Sequence, residues 1–271
     1  MKFFFVVSIC CLALGSCSQQ KAPEEVKDNG SQVRVVKEFH PNGRLKSTTE
    51  ALGKLRHGIS RNYRTDGTLE SEINYVQNQK HGLAKNYYAD GKTVKNEINY
   101  LNGSREGEAK WYYPSGKLYR MTPYSNNRIN GIRLTYYENG KIQAELPYNN
   151  SQPGMGLKEY MQDGKLKDFR GMIQIREEDR VSLDNSYTLL LSISDGTRDV
   201  EFYTGKLTAA TFWNEKLTAV PTENGIGKIK VFVPKGTFKM ETLNLVARIK
   251  TSLGHTRILQ QEYHLAVENK F

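Results

Sequence analysis

The chain has 271 residues, a formal net charge of +10 and a pI near 9.3, and 38% of its residues are hydrophobic. This composition excludes a wholly disordered chain, and the length is enough for two ordinary domains. The three cysteines are Cys10, Cys11 and Cys17, so no disulfide framework is available to the rest of the chain.

The first sixteen residues, MKFFFVVSICCLALGS, are typical of an export signal. One cation at Lys2 precedes an apolar run from Phe3 to Leu14, which is shorter than the roughly 20 residues that cross a bilayer. The LGSC segment ending at Cys17 resembles the bacterial lipobox, in which the cysteine is lipidated and becomes the new first residue. The resemblance implies a lipoprotein with a signal peptide at 1–16 and acyl chains, palmitate among them, on Cys17. The alternative is an ordinary secretory signal cleaved nearby.

Residues 17–32 form the expected tether between this anchor and the folded part. After Cys17 the segment SQQKAPEEVKDNGSQ contains one large apolar residue, Val26, and its polar, Pro and Gly residues favour a flexible linker. Ser18 rather than Asp follows the anchor, which the lipoprotein resemblance associates with the outer membrane, facing the periplasm or the cell surface. Export argues against a nucleic-acid partner in spite of the basic pI.

A repeat of about 24 residues occupies 33–170. Turn glycines recur at intervals of 24, 24, 25, 24 and 24 residues, each preceded by Asn, Asp or Ser and, four positions earlier, by an aromatic residue. The pattern predicts six β-hairpins stacked edge to edge, because a single hairpin is marginal in water. A second series, at Gly58, Gly82, Gly107 and Gly131, is predicted to mark the turn from one hairpin to the next. The turn glycines are Gly43, Gly67, Gly91, Gly116, Gly140 and Gly164.

This YYxxGKL…Y…NG…G pattern resembles the bacterial variant of the MORN repeat over roughly Val33 to Arg170. The resemblance implies an elongated β-hairpin repeat sheet. The chain departs from the stricter pattern, in which a Trp lies between spaced glycines. Binding properties of eukaryotic MORN proteins therefore transfer only weakly.

The period stops after Arg170, and residues 171–271 contain β-rich segments separated by turn signals. Such a run of short strands favours an immunoglobulin-like β-sandwich, although the Cys…Trp…Cys spacing is absent. The whole chain is therefore predicted to be all-β. We expect the sandwich to pack on the sixth hairpin and cover the end of the repeat sheet. The segments are Met172 to Ile175, Thr188 to Ile193, Val200 to Tyr203, Lys228 to Val233, Leu243 to Ile249 and Ile258 to Val267.

The sequence shows no phosphate-binding glycine loop, nucleophile elbow or metal signature. We therefore expect no catalytic residue, metal site or cofactor. His57 and His81 precede equivalent repeat glycines where later units have Glu106 and Asn130, which indicates a tolerant surface position.

Cations and aromatic residues recur on the same predicted strands and are the candidate binding residues. Repetition would align them as a ladder with rungs about 10 Å apart, able to attract an extended acidic ligand or a protein. The alternative is that the lysines only keep a half-exposed sheet soluble. The candidates are Lys37, Arg61, Lys85, Lys110 and Lys158, with Leu134 interrupting the series, and Tyr63, Tyr87, Tyr112, Tyr136 and Tyr160.

These features favour a non-enzymatic envelope lipoprotein whose repeat sheet is a protein-binding or scaffolding surface. Three alternatives remain open: a toxin-immunity protein of the antitoxin type, an accessory subunit of an envelope or secretion machine, and an enzyme acting on envelope glycans. The predicted partners are the membrane, through the N-terminal acyl chains, and a protein or extended acidic ligand.

Overall fold

The structure is a computed structural model and describes residues 32–209 and 211–270. The predicted signal segment, Cys17 and nearly all of the tether lie outside the described residues. No helix within the described ranges combines the length and apolar character needed to cross a membrane.

One antiparallel sheet of 14 strands contains the hairpin repeats, and sequence neighbours are almost always sheet neighbours. Each hairpin turn is closed at its glycine, as where Gly67 N donates to Arg64 O at 2.8 Å. The strands are β1 Val33–Phe39, β2 Leu45–Leu52, β3 Leu55–Tyr63, β4 Leu69–Val76, β5 Gln79–Tyr87, β6 Val94–Leu101, β7 Ser104–Arg105, β8 Gly107–Tyr112, β9 Leu118–Ser125, β10 Arg128–Ile129, β11 Gly131–Tyr136, β12 Ile142–Asn149, β13 Gln152–Pro153 and β14 Lys158–Glu159.

The second glycine series does not form the turns between hairpins, so that prediction was wrong. The connecting turns lie a few residues earlier, at pairs such as Asn102–Gly103 and Asn126–Asn127, whose positive φ values suit two-residue hairpin turns. Gly58 instead lies within β3, opposite Tyr75 and with a φ of 105°, where the pairing with β2 is irregular.

Hydrogen bonds join each repeat to the next at the residue that follows the predicted aromatic position. Its side chain reaches the backbone carbonyl of the equivalent aromatic residue in the following unit. His, Arg and Tyr all occupy this position, because each can place a donor there. The bonds run from His40 to Tyr63, Arg64 to Tyr87, Tyr88 to Tyr112, Tyr113 to Tyr136 and Tyr137 to Tyr160, at 2.6–2.8 Å.

The sixth unit keeps its turn at Gly164 but has only the two-residue β14 and an isolated bridge between Tyr160 and Leu166. The preceding segment departs from the repeat because Leu157 packs on the buried Ala144 and Leu146.

The C-terminal part is a sandwich of two four-stranded antiparallel sheets, ordered β15-β16-β20-β19 and β18-β17-β21-β22. Leu189, Leu191, Leu245 and Leu265, all fully buried, lie in the core between them. This is the strand arrangement of an immunoglobulin-like sandwich, so the predicted all-β fold class is confirmed. The elements are β15 Ile173–Arg180, α1 Val181–Asp184, β16 Ser186–Ile193, β17 Val200–Thr204, β18 Thr218–Val220, β19 Thr222–Glu223, β20 Ile226–Phe232, β21 Phe238–Lys250 and β22 Thr256–Glu268.

The sandwich packs directly on the end of the repeat sheet, as expected. Gly154 forms an isolated bridge with Phe212, and Trp213 N donates to Pro153 O at 2.9 Å. The carboxylate of Glu159, only 3% exposed, accepts a 2.5 Å hydrogen bond from the hydroxyl of Thr251 at the β21–β22 turn. Val246, on the outer side of β21, is fully buried against Leu207 and Ile258.

Candidate interaction face

One face of the repeat sheet carries a row of alternating charges, and we call it the charged face. Across the strands Arg61 lies opposite Glu72, Glu72 opposite Lys85, and Lys85 opposite Glu97. In sheet order the row is Lys37, Thr48, Arg61, Glu72, Lys85, Glu97, Lys110, Met121, Leu134, Glu145 and Lys158.

Three of the five predicted cations are paired with this interleaved glutamate series. Arg61 Nε lies 2.7 Å from Glu72, Lys85 Nζ 3.3 Å from Glu97, and Lys158 Nζ 3.7 Å from Glu145. The cations of the predicted ladder therefore alternate with carboxylates, which their spacing in the sequence did not indicate. Half-exposed pairs of this kind contribute little net stability, typically below about 1 kcal/mol each.

The predicted tyrosines lie on the same face, and three of the five hydrogen-bond to the same glutamates. Tyr87 donates to Glu72 at 2.9 Å, Tyr112 to Glu97 at 2.7 Å, and Tyr160 to Glu145 at 2.6 Å. Each of these tyrosines comes fifteen residues after its glutamate, one hairpin further along the chain. Glu72 and Glu97 are therefore each held by a cation of their own hairpin and a hydroxyl of the next, whereas both partners of Glu145 come from the following unit.

These contacts shift the pKa values of Tyr87, Tyr112 and Glu72. Burial and the hydrogen bond to Glu72 raise the pKa of Tyr87 to about 12, and burial and Glu97 raise that of Tyr112 to about 12. Burial opposes ionisation of Glu72, but the bonds from Arg61 and Tyr87 together hold its pKa below the ordinary value. Glu72 therefore stays ionised, and Tyr87 and Tyr112 stay protonated, over a wide pH range.

The series is interrupted in the fourth and fifth units. Met121 stands where Glu72 and Glu97 stand in other units, and Leu134 stands in the cation position. Tyr136, fifteen residues after Met121, has no carboxylate to bind, and its hydroxyl makes no hydrogen bond to any described residue. Tyr63 is the other such case, because Thr48 replaces its glutamate.

The interruption produces an apolar strip on the charged face. Ile132 lies opposite Pro147, while Leu134 lies opposite Met121 on the next strand. Residues two apart on a strand share a face, so these side chains are neighbours. Ile132 is 53% exposed although it is aliphatic and lies mid-sheet. We define the apolar strip as Met121, Pro123, Ile132, Leu134 and Pro147.

Lys37 and Lys110, the remaining predicted cations, have weaker partners. Lys37 lies on the first strand opposite Thr48, and Lys110 Nζ is 4.0 Å from Glu108. Lys110 also lies directly opposite Met121 in the sheet. A cation and Tyr136 therefore border the apolar strip.

A second aromatic series, which is not among the predicted site residues, lies on the opposite face. Cations cover its rings, with Arg56 4.2 Å from the centre of Tyr75 and Arg105 4.3 Å from that of Tyr124. Lys80 covers Tyr100 in the same way at 5.1 Å. Each of these cations precedes its tyrosine by 19 or 20 residues, so the pairing is recognised only once the strand register is known.

Residues 32–209 and 211–270 bring together no group of three or more His, Cys, Asp or Glu that could hold a metal ion. His81 contacts Asn102 at 3.2 Å in the neighbouring turn. His255 lies in the β21–β22 turn, where burial lowers its pKa, and the chain places Glu159 and Arg133 nearby.

A stacked hairpin sheet with one periodic charged face defines a β-hairpin repeat protein. Four segments of this chain, at 56–77, 80–102, 105–126 and 129–150, match the family described as MORN repeat variant. The chain therefore contains MORN-type repeats, as its sequence resemblance implied. Each matched segment is bounded by the two-residue turns, so it spans one complete hairpin. No curated protein matched the chain.

Proposed function

We propose that this protein is a non-enzymatic binding or scaffolding module of the bacterial cell envelope, and that it holds a protein partner on its charged face at the apolar strip. The observation that carries the proposal is the replacement of an ionic rung by Met121 and Leu134 beside the exposed Ile132. An apolar centre with a polar rim and an aromatic anchor is the usual anatomy of a protein interface. Tyr136 supplies that anchor, with a hydroxyl that no described residue binds.

The charge pattern favours a protein over a polyanion. Glu72, Glu97 and Glu145 alternate with the cations, so the face offers both signs at strand spacing. A polyanion would be repelled by every second rung, whereas a protein segment can match both signs and cover the strip. Electrostatic complementarity of this kind contributes specificity more than affinity.

The membrane anchor is the second part of the proposal. Lipidation of Cys17 would hold the protein at the envelope, and the outer membrane is the proposed location, facing the periplasm or the cell surface. At about 0.8 kcal/mol per buried methylene, two or more acyl chains give stable attachment. Cys17→Ser should abolish incorporation of labelled palmitate and release the protein from the membrane fraction. Unchanged incorporation in this variant would contradict the anchor.

The binding face is tested by photo-crosslinking in intact cells. A photoreactive residue replaces Ile132 in the full chain, and the matched control replaces Leu101, which is 52% exposed near a strand end in the third unit. A discrete crosslinked protein is expected from position 132 and not from position 101. The same adducts from both positions, or none from position 132, would contradict the proposed face.

The identity of the crosslinked protein separates the remaining alternatives. A toxin encoded beside this chain would support an immunity role, and a set of envelope components would support an accessory subunit of a larger machine. With the photoreactive residue placed at Leu134 instead, an Ile132→Glu variant should lose the adduct while melting at the wild-type temperature. If the melt shows that Ile132→Glu does not fold, the smaller change Ile132→Ser is used in its place.

A further inference from the structure

The first strand of the repeat sheet has an open edge. β1 pairs with β2 on one side, and within residues 32–209 and 211–270 no strand pairs with its other side. It has seven residues and no proline. An edge of this kind presents unpaired N–H and C=O groups to any extended segment that can align with it. The far end of the same sheet is covered by the sandwich.

The residues of β1, VRVVKEF, are complementary to themselves when two copies run antiparallel and are centred on Val36. In that register Arg34 of one copy lies opposite Glu38 of the other, twice. Val33 lies opposite Phe39, also twice, and Val36 lies opposite Val36. Opposite charges and apolar pairs directly across an antiparallel ladder both stabilise it.

The side chains of β1 have capacity for such a partner. Arg34 makes one hydrogen bond among the described residues, from Nη2 to Gly53 O at 3.1 Å, which leaves Nη1 available to a carboxylate. Glu38 contacts Lys46 at 3.5 Å and Ser47 at 3.4 Å through Oε2 alone. Val33 and Phe39, 53% and 60% exposed, are the residues that would cover each other.

We propose that two copies of this chain pair edge to edge through β1, antiparallel and centred on Val36, so that their repeat sheets form one continuous sheet. The contact is isologous, because the same strand serves both copies. The assembly stops at two, since each copy uses its open edge and the sandwich covers the other end. The two charged faces then lie on the same side of a surface of doubled length.

A cysteine at position 36 tests the register. Directly opposed residues of an antiparallel pair have Cα atoms about 4.5 to 5.5 Å apart, within the range that a disulfide spans. The full-length Val36→Cys chain, oxidised in its membranes, should migrate mainly as a covalent dimer. In the Val33→Cys control the two cysteines lie about 20 Å apart, six residues along the strand, and should not link. The unchanged chain, with Cys10, Cys11 and Cys17, measures the background.

Charge reversal tests the complementarity. Arg34→Glu in the Val36→Cys background sets Glu opposite Glu38 twice and should reduce the dimer at least fivefold. Adding Glu38→Arg restores opposite charges and should restore the dimer, with thermal melts confirming that every variant is folded. Absence of a dimer at position 36, equal linking at positions 33 and 36, or failure of the second reversal to restore the dimer would overturn the proposal. A position-36 disulfide to a different protein would also overturn it.

Discussion

The hydroxyl of Tyr113 donates a 2.7 Å hydrogen bond to the backbone carbonyl of Tyr136, one repeat further along the chain. A side chain of one unit thereby satisfies a main-chain acceptor of the next, at the point where the neighbouring hairpin turns. The doubled tyrosines of the repeat consequently have separate tasks. The first faces the glutamate series, and the second joins consecutive units.

Tyr113→Phe should lower the stability of the repeat sheet. The variant keeps the ring but leaves the Tyr136 carbonyl without its donor, at a cost of about 1 kcal/mol. Urea denaturation followed by circular dichroism measures the change. Tyr136→Phe is the matched control, because its hydroxyl has no hydrogen-bond partner among the described residues, and it should shift the midpoint much less. Equal shifts would show that the inter-repeat bond contributes nothing.

The protein should lose stability in alkali between about pH 10 and pH 12. Burial and their glutamate partners raise the pKa of Tyr87 and Tyr112 from 10.0 to about 12, so the folded state binds their protons more tightly than the unfolded state. Their contribution is complete below pH 10 and is lost as pH rises through 12.

A Tyr87→Phe, Tyr112→Phe double variant should be less stable than wild type at pH 8 but lose less stability across that alkaline interval. Melting temperatures at pH 8, 10, 11 and 12 measure both effects. Tyr63→Phe should follow the wild-type curve, since Thr48 replaces the glutamate at its position. Parallel curves for wild type and the double variant would contradict the assignment.

Gly58→Ala should destabilise the sheet more than Gly116→Ala. Both glycines have positive φ, at 105° and 81°, so both substitutions carry a backbone cost of about 1 kcal/mol. A Cβ on Gly58 would also lie 2.1 Å from Glu50 Oε2, whereas one on Gly116 would meet nothing within 4 Å. Displacing Glu50 also breaks its 3.0 Å hydrogen bond from Ile59 N. Denaturation midpoints of the two variants compare these costs, and equal midpoints would refute the crowding at Gly58.

Glu159→Ala should loosen the junction between sheet and sandwich. The substitution removes the acceptor of Thr251 and leaves Arg257, 13% exposed and 3.9 Å from that carboxylate, without its counter-charge. Removing one partner of a buried pair costs several kcal/mol, roughly 3 to 5. Limited proteolysis should cut the variant between Phe169 and Ile173 well before wild type, with Glu138→Ala, an exposed turn residue, as control. Ready cleavage of wild type there would contradict tight packing.

The periodicity of the glycines was enough to predict hairpins, their length and their stacking, because a turn that needs positive φ restricts the residue type wherever it occurs. The same reasoning misplaced the connecting turns. A glycine within a strand irregularity, such as Gly58, has the same positive φ as one in a turn, and local sequence does not separate the two. The Asn102–Gly103 pair was the available signal for the correct position.

In the candidate site, too, the features set by local spacing were predicted and those set by strand register were not. The cation series and the Tyr series were identified from spacing, and the Leu134 exception was visible in the chain. The glutamates that neutralise the cations were not identified, because Glu72 and Arg61 meet only once the register of β3 against β4 is known. The apolar strip likewise gathers residues from three strands.

The sequence by itself determined the repeat length, the all-β class and the position of the turns closed by the first glycine series, since turn chemistry and strand periodicity are local properties. The tertiary structure decided which charges are compensated, which face carries the apolar strip and which edge of the sheet is left unpaired by the described residues. Those features depend on strand register and on the packing of the sandwich, where residues far apart in the chain, such as Glu159 and Thr251, come into contact.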